Sequence, residues 1–134
     1  TSNTAITRGK PSSTTETGGM GRVDDEGPGL AETGVFNLLR HFQMLPGEPR
    51  RVEHPIWLEP TVVLRSSTTG TFHARVTPGR TVAQGTVLGV LKDFFGKEVE
   101  KVRAPLAGEV LYVVATPPVS EGEPLAMVGQ VKKE

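Results

Sequence analysis

The second half of the chain carries one pattern twice. Residues Leu64 to Leu91 read LRSSTTGTFHARVTPGRTVAQGTVLGVL, and residues Val102 to Gly129 read VRAPLAGEVLYVVATPPVSEGEPLAMVG. Gly70 aligns with Gly108, Val82 with Val119, Gly85 with Gly122 and Leu88 with Leu125, with one residue fewer in the second copy. Each copy is too short to bury its own apolar residues, so two copies must close over a shared interior. The repeat predicts a mainly β fold: a pseudo-two-fold β-barrel over residues 61–130.

Within the first copy Phe72, Ala74 and Val76 alternate with Thr71, His73 and Arg75. In the second, Val110, Tyr112 and Val114 take the equivalent places, and all six are expected to face the interior. Leu111 and Val113 are apolar as well, which predicts a strand covered on both faces and makes these two residues candidate outer contacts. Turns are expected at Thr77-Pro78-Gly79 and Thr116-Pro117-Pro118, where Pro fixes φ. A hairpin tip at Phe94-Phe95-Gly96 should separate the copies, with Phe94 and Phe95 as further contact candidates.

The lead-in is of another kind. Residues 1–23 are rich in Thr, Ser and Gly and offer little apolar surface against the entropy of ordering, so they read as a mobile tail. Leu30, Leu38, Leu39, Phe42 and Leu45 recur at helical spacing, and Asp24, Asp25 and Glu26 suit a helix N-terminus. One α-helix is therefore expected within 24–46, most firmly from Glu32 to Met44, because Gly27, Pro28, Gly29 and Gly34 weaken its first half. Residues 47–60 read as a connector that docks through Ile56, Trp57 and Leu58, and 131–134 as a tail.

Composition narrows the function. Fifteen Lys and Arg balance fifteen Asp and Glu, so no net field would draw the chain to nucleic acid or an anionic membrane. The absence of Cys removes disulfides, thiolate metal sites and a Cys nucleophile, and fits a reducing, cytoplasmic setting. Apolar runs fall well short of the ~18 residues of a spanning helix, so no membrane partner is expected. The chain starts at Thr1 without an initiator Met, as the middle of a longer protein would.

Two copies of strand, Pro/Gly turn, V-x-x-G-x-x-L and strand, with Ala104-Pro105-x-x-Gly108 opening the second, resemble the biotinyl/lipoyl barrel family, a barrel-sandwich hybrid. That resemblance implies a cofactor-bearing Lys between the copies, seven residues before Ala104, which is Lys97. The flanks read Gly96-Lys97-Glu98, unlike the Met-Lys-Met of biotin domains or the Asp-Lys-Ala typical of lipoyl domains. A carrier with Lys97 as its attachment site therefore stands as the second reading.

A wider resemblance spans most of the chain. Pro11-Ser12-Ser13-Thr14-Thr15-Glu16-Thr17-Gly18-Gly19, Asn37-Leu38-Leu39-Arg40-His41, Met44-Leu45-Pro46-Gly47, Leu91-Lys92-Asp93-Phe94-Phe95-Gly96 and Ala104-Pro105-Leu106-Ala107-Gly108-Glu109-Val110-Leu111 follow one another as in the succinylglutamate desuccinylase/aspartoacylase family. The resemblance implies the C-terminal part of a zinc-dependent N-acyl amino acid deacylase. Residues 1–23 would hold the remnant of a catalytic-domain strand, and the barrel would be a non-catalytic accessory module. It places Glu16 at the general base, whose carboxylate takes a proton from zinc-bound water.

The family's metal ligands, a His-x-x-Glu pair and a later His, have no counterpart here. His41, His54 and His73 are scattered, and none begins such a pair. No metal site or cofactor is expected in this chain, zinc belongs to the parent enzyme, and the expected partner is the missing N-terminal catalytic domain, with a homo-oligomer compatible.

Overall fold

The computed structural model describes residues 2–18 and 26–132. Asp24 and Asp25, expected at the helix start, Gly19 of the Glu16 motif and residues 133–134 of the tail lie outside the described residues. The chain divides into two units, Thr1–Glu53 and His54–Glu134. Among the described residues no helix is long and apolar enough to cross a membrane.

The first unit holds two helices where one was expected. Helix α1 (Ser2–Thr7) ends in a Schellman motif: Gly9 adopts φ 67° and donates to the Ile6 carbonyl, while the Lys10 amide donates to Ala5. Gly9, two residues past the helix, was the readable signal, outweighed by the Thr- and Ser-rich composition around it. Residues 10–18 carry no regular secondary structure.

Helix α2 (Glu26–His41) starts earlier than its firmest sequence signal, because Pro28 stands in the first turn, where its missing N–H is not needed. It also stops sooner. Gln43 takes a left-handed φ of 57°, and Gln43 and Met44 donate to Arg40 and Leu39, so this end repeats the motif of α1 without a glycine. The Asn37 side chain then clasps the following segment: its amide donates to the Arg50 carbonyl (3.1 Å) and its oxygen accepts from the Arg50 amide (2.9 Å). Of this unit's described residues only Gly27 is buried, and Leu30, Val35, Leu38 and Phe42 all face solvent.

The second unit is made of eight strands: β1 (Leu58–Arg65), β2 (Gly70–Ala74), β3 (Thr81–Val82), β4 (Val87–Lys92), β5 (Glu98–Arg103), β6 (Gly108–Val113), β7 (Pro118–Val119) and β8 (Pro124–Val131). They form two four-stranded antiparallel sheets, ordered β1-β8-β6-β3 and β5-β4-β2-β7. Exchanging β1–β4 for β5–β8 turns one order into the other, which is the pseudo-symmetry that the repeat predicts. The sheets do not close into a barrel: each ends in its own edge strands, and β3 and β7 are too short to carry a ladder onward.

Both sheets feed each of two apolar clusters. Val76, Val82, Leu88, Ala104, Val110, Ala126 and Val128 form one; Phe72, Leu91, Val102, Val119 and Leu125 form the other; Leu64 and Val113 pack on both. Equivalent residues do equivalent work. Leu88 and Leu125 are fully buried, Gly85 and Gly122 both turn at positive φ (84° and 83°), and the Arg75 amide bonds Leu88 as the Val114 amide bonds Leu125.

One interior assignment, Tyr112, and one outer assignment, Val113, fail at one feature. Between Val110 and Tyr112 the β6–β8 register shifts, so Leu111 is an extra residue bulged out of the ladder. Beyond it the alternation inverts: Val113 turns inward to both clusters and Tyr112 faces out, the reverse of the expectation from the first copy. Ala74 is also exposed, while Phe72 and Val76 are buried as expected. Val113 is thus not an outer contact. The connector docks by its backbone, with the Lys132 amide donating to the Trp57 carbonyl, while the Ile56 and Trp57 side chains stay exposed and Leu58 is half-buried.

Candidate functional site

The hairpin between β4 and β5 is organised by one carboxylate. Asp93 Oδ1 accepts the Phe95 and Lys97 amides at 2.9 Å each, its amide donates to the Lys97 carbonyl (3.0 Å), and Gly96 turns at φ 86°. An Asp three residues before a turn Gly is a legible signal for this geometry. Phe94 and Phe95 form the tip, and Phe95 is 98% exposed. Lys97 closes the loop rather than crowning it. Its side chain is exposed and has no hydrogen-bond or ion-pair partner among the described residues.

Glu16 lies in the irregular stretch after α1, exposed and without a hydrogen-bonding or ion-pairing partner among the described residues. The histidines are divided between the two units, His41 in the first and His54 and His73 in the second. His41 ends α2 with its ring edge-on to Phe42 (5.1 Å, 70°), His54 opens the second unit, and His73 Nε2 on β2 lies 3.2 Å from Thr71 Oγ1. Among the described residues no group of three His, Cys, Asp or Glu could hold a metal ion.

Two open clefts lie in the first unit: one of about 610 Å³ beside Arg40, His41, Glu48 and Arg51, another of about 820 Å³ between α2 and Pro49, Val52 and Glu53. Glu16 lines neither. A solvated carboxylate such as Glu16 can move a proton but does not by itself polarise a carbonyl.

Sequence reasoning missed a pair of arginines that the pseudo-symmetry places. Arg65 Nη1 donates to the Gly122 carbonyl (2.9 Å) and Arg103 Nη1 to the Gly85 carbonyl (3.0 Å), so each copy pins the glycine turn of the other. These contacts belong to the scaffold.

Several solved structures similar to this chain are proteins named as succinylglutamate desuccinylase or aspartoacylase family members. The product-bound ectoine utilization protein EutE (DoeB) from Ruegeria pomeroyi is 26% identical with a TM-score of 0.79, over 96% of this chain and 40% of that one. A succinylglutamate desuccinylase from Silicibacter sp. TM1040 is 25% identical with a TM-score of 0.77, over 97% of this chain and 41% of that one. The succinylglutamate desuccinylase/aspartoacylase from Rhodobacter sphaeroides, at 22% identity and a TM-score of 0.77, shares the fold over 98% of this chain and 43% of that one. The chain therefore spans about 40% of the length of these proteins and matches them in both of its units. No protein-family model matches the chain, and no curated protein matches it.

Proposed function

We propose that this chain is the C-terminal portion of a zinc-dependent N-acyl amino acid deacylase, a cytoplasmic enzyme, and that its two-sheet unit is a non-catalytic accessory module of biotinyl/lipoyl-like ancestry. The observation that carries this reading is a likeness that runs through the helical unit as well as the sheets, to proteins more than twice as long. A carrier domain would account for the sheets alone.

The described residues do not make a zinc site by themselves, so the metal's ligands are assigned to the portion that would precede Thr1. Bound zinc would lower the pKa of a water toward neutrality. Glu16 would take the proton as that water attacks the amide carbonyl and return it to the departing amine, a role for which a solvated, unpaired carboxylate is available.

In the longer protein Glu16→Gln should lower kcat by about 100-fold or more, the usual weight of a positioned base, with zinc content and melting temperature unchanged. An unchanged kcat would remove Glu16 from the mechanism. Stoichiometric zinc binding with deacylase turnover by the 134-residue chain alone would overturn the whole reading.

The second reading is tested separately through Lys97. Coexpression with a biotin or lipoyl ligase should leave the intact mass of the chain unchanged. A mass increment that disappears in Lys97→Ala would install the carrier function in its place.

A further inference from the structure

The two sheets differ in what their long edge strands allow. Strand β1 borders one sheet and β5 the other, and each pairs on one side only. Ser66 donates its amide to the Glu123 carbonyl and accepts the Gly122 amide, so its backbone groups point toward β8. Successive residues of a strand turn these groups to opposite sides, which aims those of Arg65, Val63 and Thr61 away from β8, along the free edge. The alternation is unbroken there: residues 61–64 keep register with 129–126, and the shift after Leu64 skips Leu125 of β8, not a residue of β1. Among the described residues of this unit no other backbone hydrogen bond reaches that edge.

On β5 the Ala104 amide donates to the Thr86 carbonyl, and the same alternation turns Arg103 and Lys101 to the free edge. These two cations guard it. A two-fold axis through Lys101 would set Lys101 against itself, one through Val102 would set Lys101 against Arg103, and one through Arg103 would again oppose like charges. Val99 also bulges out of this ladder. On β1 the outcome is the opposite. An axis through Val63, perpendicular to the sheet, sets Val63 against Val63, Thr61 against Arg65 and the half-buried Val62 against Leu64. Each pair shares a face, no charge meets its like, and the outward N–H and C=O groups of Thr61, Val63 and Arg65 all find partners.

From this contrast we infer that β1 is a self-association edge: two copies of the chain join along it, antiparallel and centred on Val63, into one continuous sheet. Pairing along β1 is independent of the deacylase reading. Main-chain hydrogen bonds supply the affinity in an edge pairing of this kind, and the side chains that face each other supply the register. The contact is small. A register shift between Leu58 and Thr61 ends the regular edge, so the shared ladder is about 17 Å long. A strip of that length falls well short of the ~800 Å² per partner of a lasting interface, so the pair is reversible and forms as concentration rises.

The absence of Cys makes the test direct, because a single introduced cysteine reports the register. Opposed residues of a hydrogen-bonded pair have Cα atoms about 5.5 Å apart, which a disulfide can span. Under mild oxidation of the 134-residue chain, Val63→Cys should form a covalent dimer about tenfold faster or more than Thr61→Cys, Arg65→Cys or Lys101→Cys alone. Thr61→Cys mixed with Arg65→Cys should match it. Sedimentation equilibrium of the unaltered chain should give a mass that rises with concentration and levels at two copies. Val63 is 43% exposed, so Val63→Lys should keep the fold, by far-UV circular dichroism, and hold the mass at one copy.

A mass of one copy at every concentration would overturn the proposal. Equal cross-linking at all four single positions would do the same, as would fastest cross-linking through Lys101→Cys, which would move the contact to β5. A dimer that survives Val63→Lys would place the contact elsewhere on the molecule. Growth past two copies would also count against it, since a two-fold pairing uses up the β1 edge of both chains and closes.

Discussion

Gly108→Ala is expected to destabilise the two-sheet unit by about 3 kcal/mol or more, at the upper end of what overpacking costs. The cause is space. A Cβ at Gly108 would sit 2.0 Å from the Gly129 carbonyl oxygen and 2.7 Å from its carbon, and neither is the movable end of a side chain. Relief requires β6 to move away from β8, breaking the ladder that joins them. Gly70, its repeat partner, faces the Lys92 carbonyl oxygen at 2.3 Å, so Gly70→Ala should behave alike.

Gly85 is the control. It has open space around its missing side chain but a φ of 84°, so Gly85→Ala meets only backbone strain, about 1 kcal/mol. Urea unfolding followed by far-UV circular dichroism measures all three. A domain of this size should lose about 4–8 °C of melting temperature per kcal/mol, so Gly108→Ala and Gly85→Ala should be well separated. A loss below about 1 kcal/mol for Gly108→Ala would show that the strands slide apart at little cost.

These glycines mark the level at which the sequence is informative. The repeat states which residues share a role, and the paired glycines, leucines and turns occupy matching places in the two sheets. It does not state where a strand breaks step. From Gly108 to Val114 there are six steps against five from Gly70 to Arg75, and from Val114 to Val119 five against seven from Arg75 to Val82. The bulge and the shortened turn nearly cancel, so alignment shows a single missing residue and hides an inverted alternation at Tyr112 and Val113.

Closure was illegible for a related reason. Whether eight short strands meet edge to edge depends on twist and on the length of β3 and β7, which hydrophobic alternation does not encode. The site was legible only as resemblance. Glu16 sits in a stretch whose own pattern, five hydroxyl residues (Ser12, Ser13, Thr14, Thr15 and Thr17) around one carboxylate, predicts no geometry, and among the described residues no metal-holding group of side chains accompanies it. The Asp93 loop and the Asn37 clasp were readable as residue types that bond backbone, but not with which backbone.

Leu88→Ala and Leu125→Ala should each cost about 3–4 kcal/mol, within the range measured for buried Leu truncations whose cavities cannot collapse. Both residues are fully buried, and each stands at the centre of a different cluster, Leu88 with Val82 and Val110, Leu125 with Phe72 and Val119. Because the repeat gives them equivalent strands and equivalent backbone partners, the two losses should agree within about 1 kcal/mol, closer than the spread of that class of substitution. The double variant decides how separate the clusters are. Leu64 and Val113 pack on both, so relaxation around one cavity can be felt at the other, and a coupling of about 0.5 kcal/mol or more is expected. Urea midpoints with unchanged m-values would establish the losses as changes in stability. Strict additivity would mean that Leu64 and Val113 touch both clusters without coupling them. Losses differing by 2 kcal/mol would mean that the two copies, though matched in sequence and strand order, are not matched in packing.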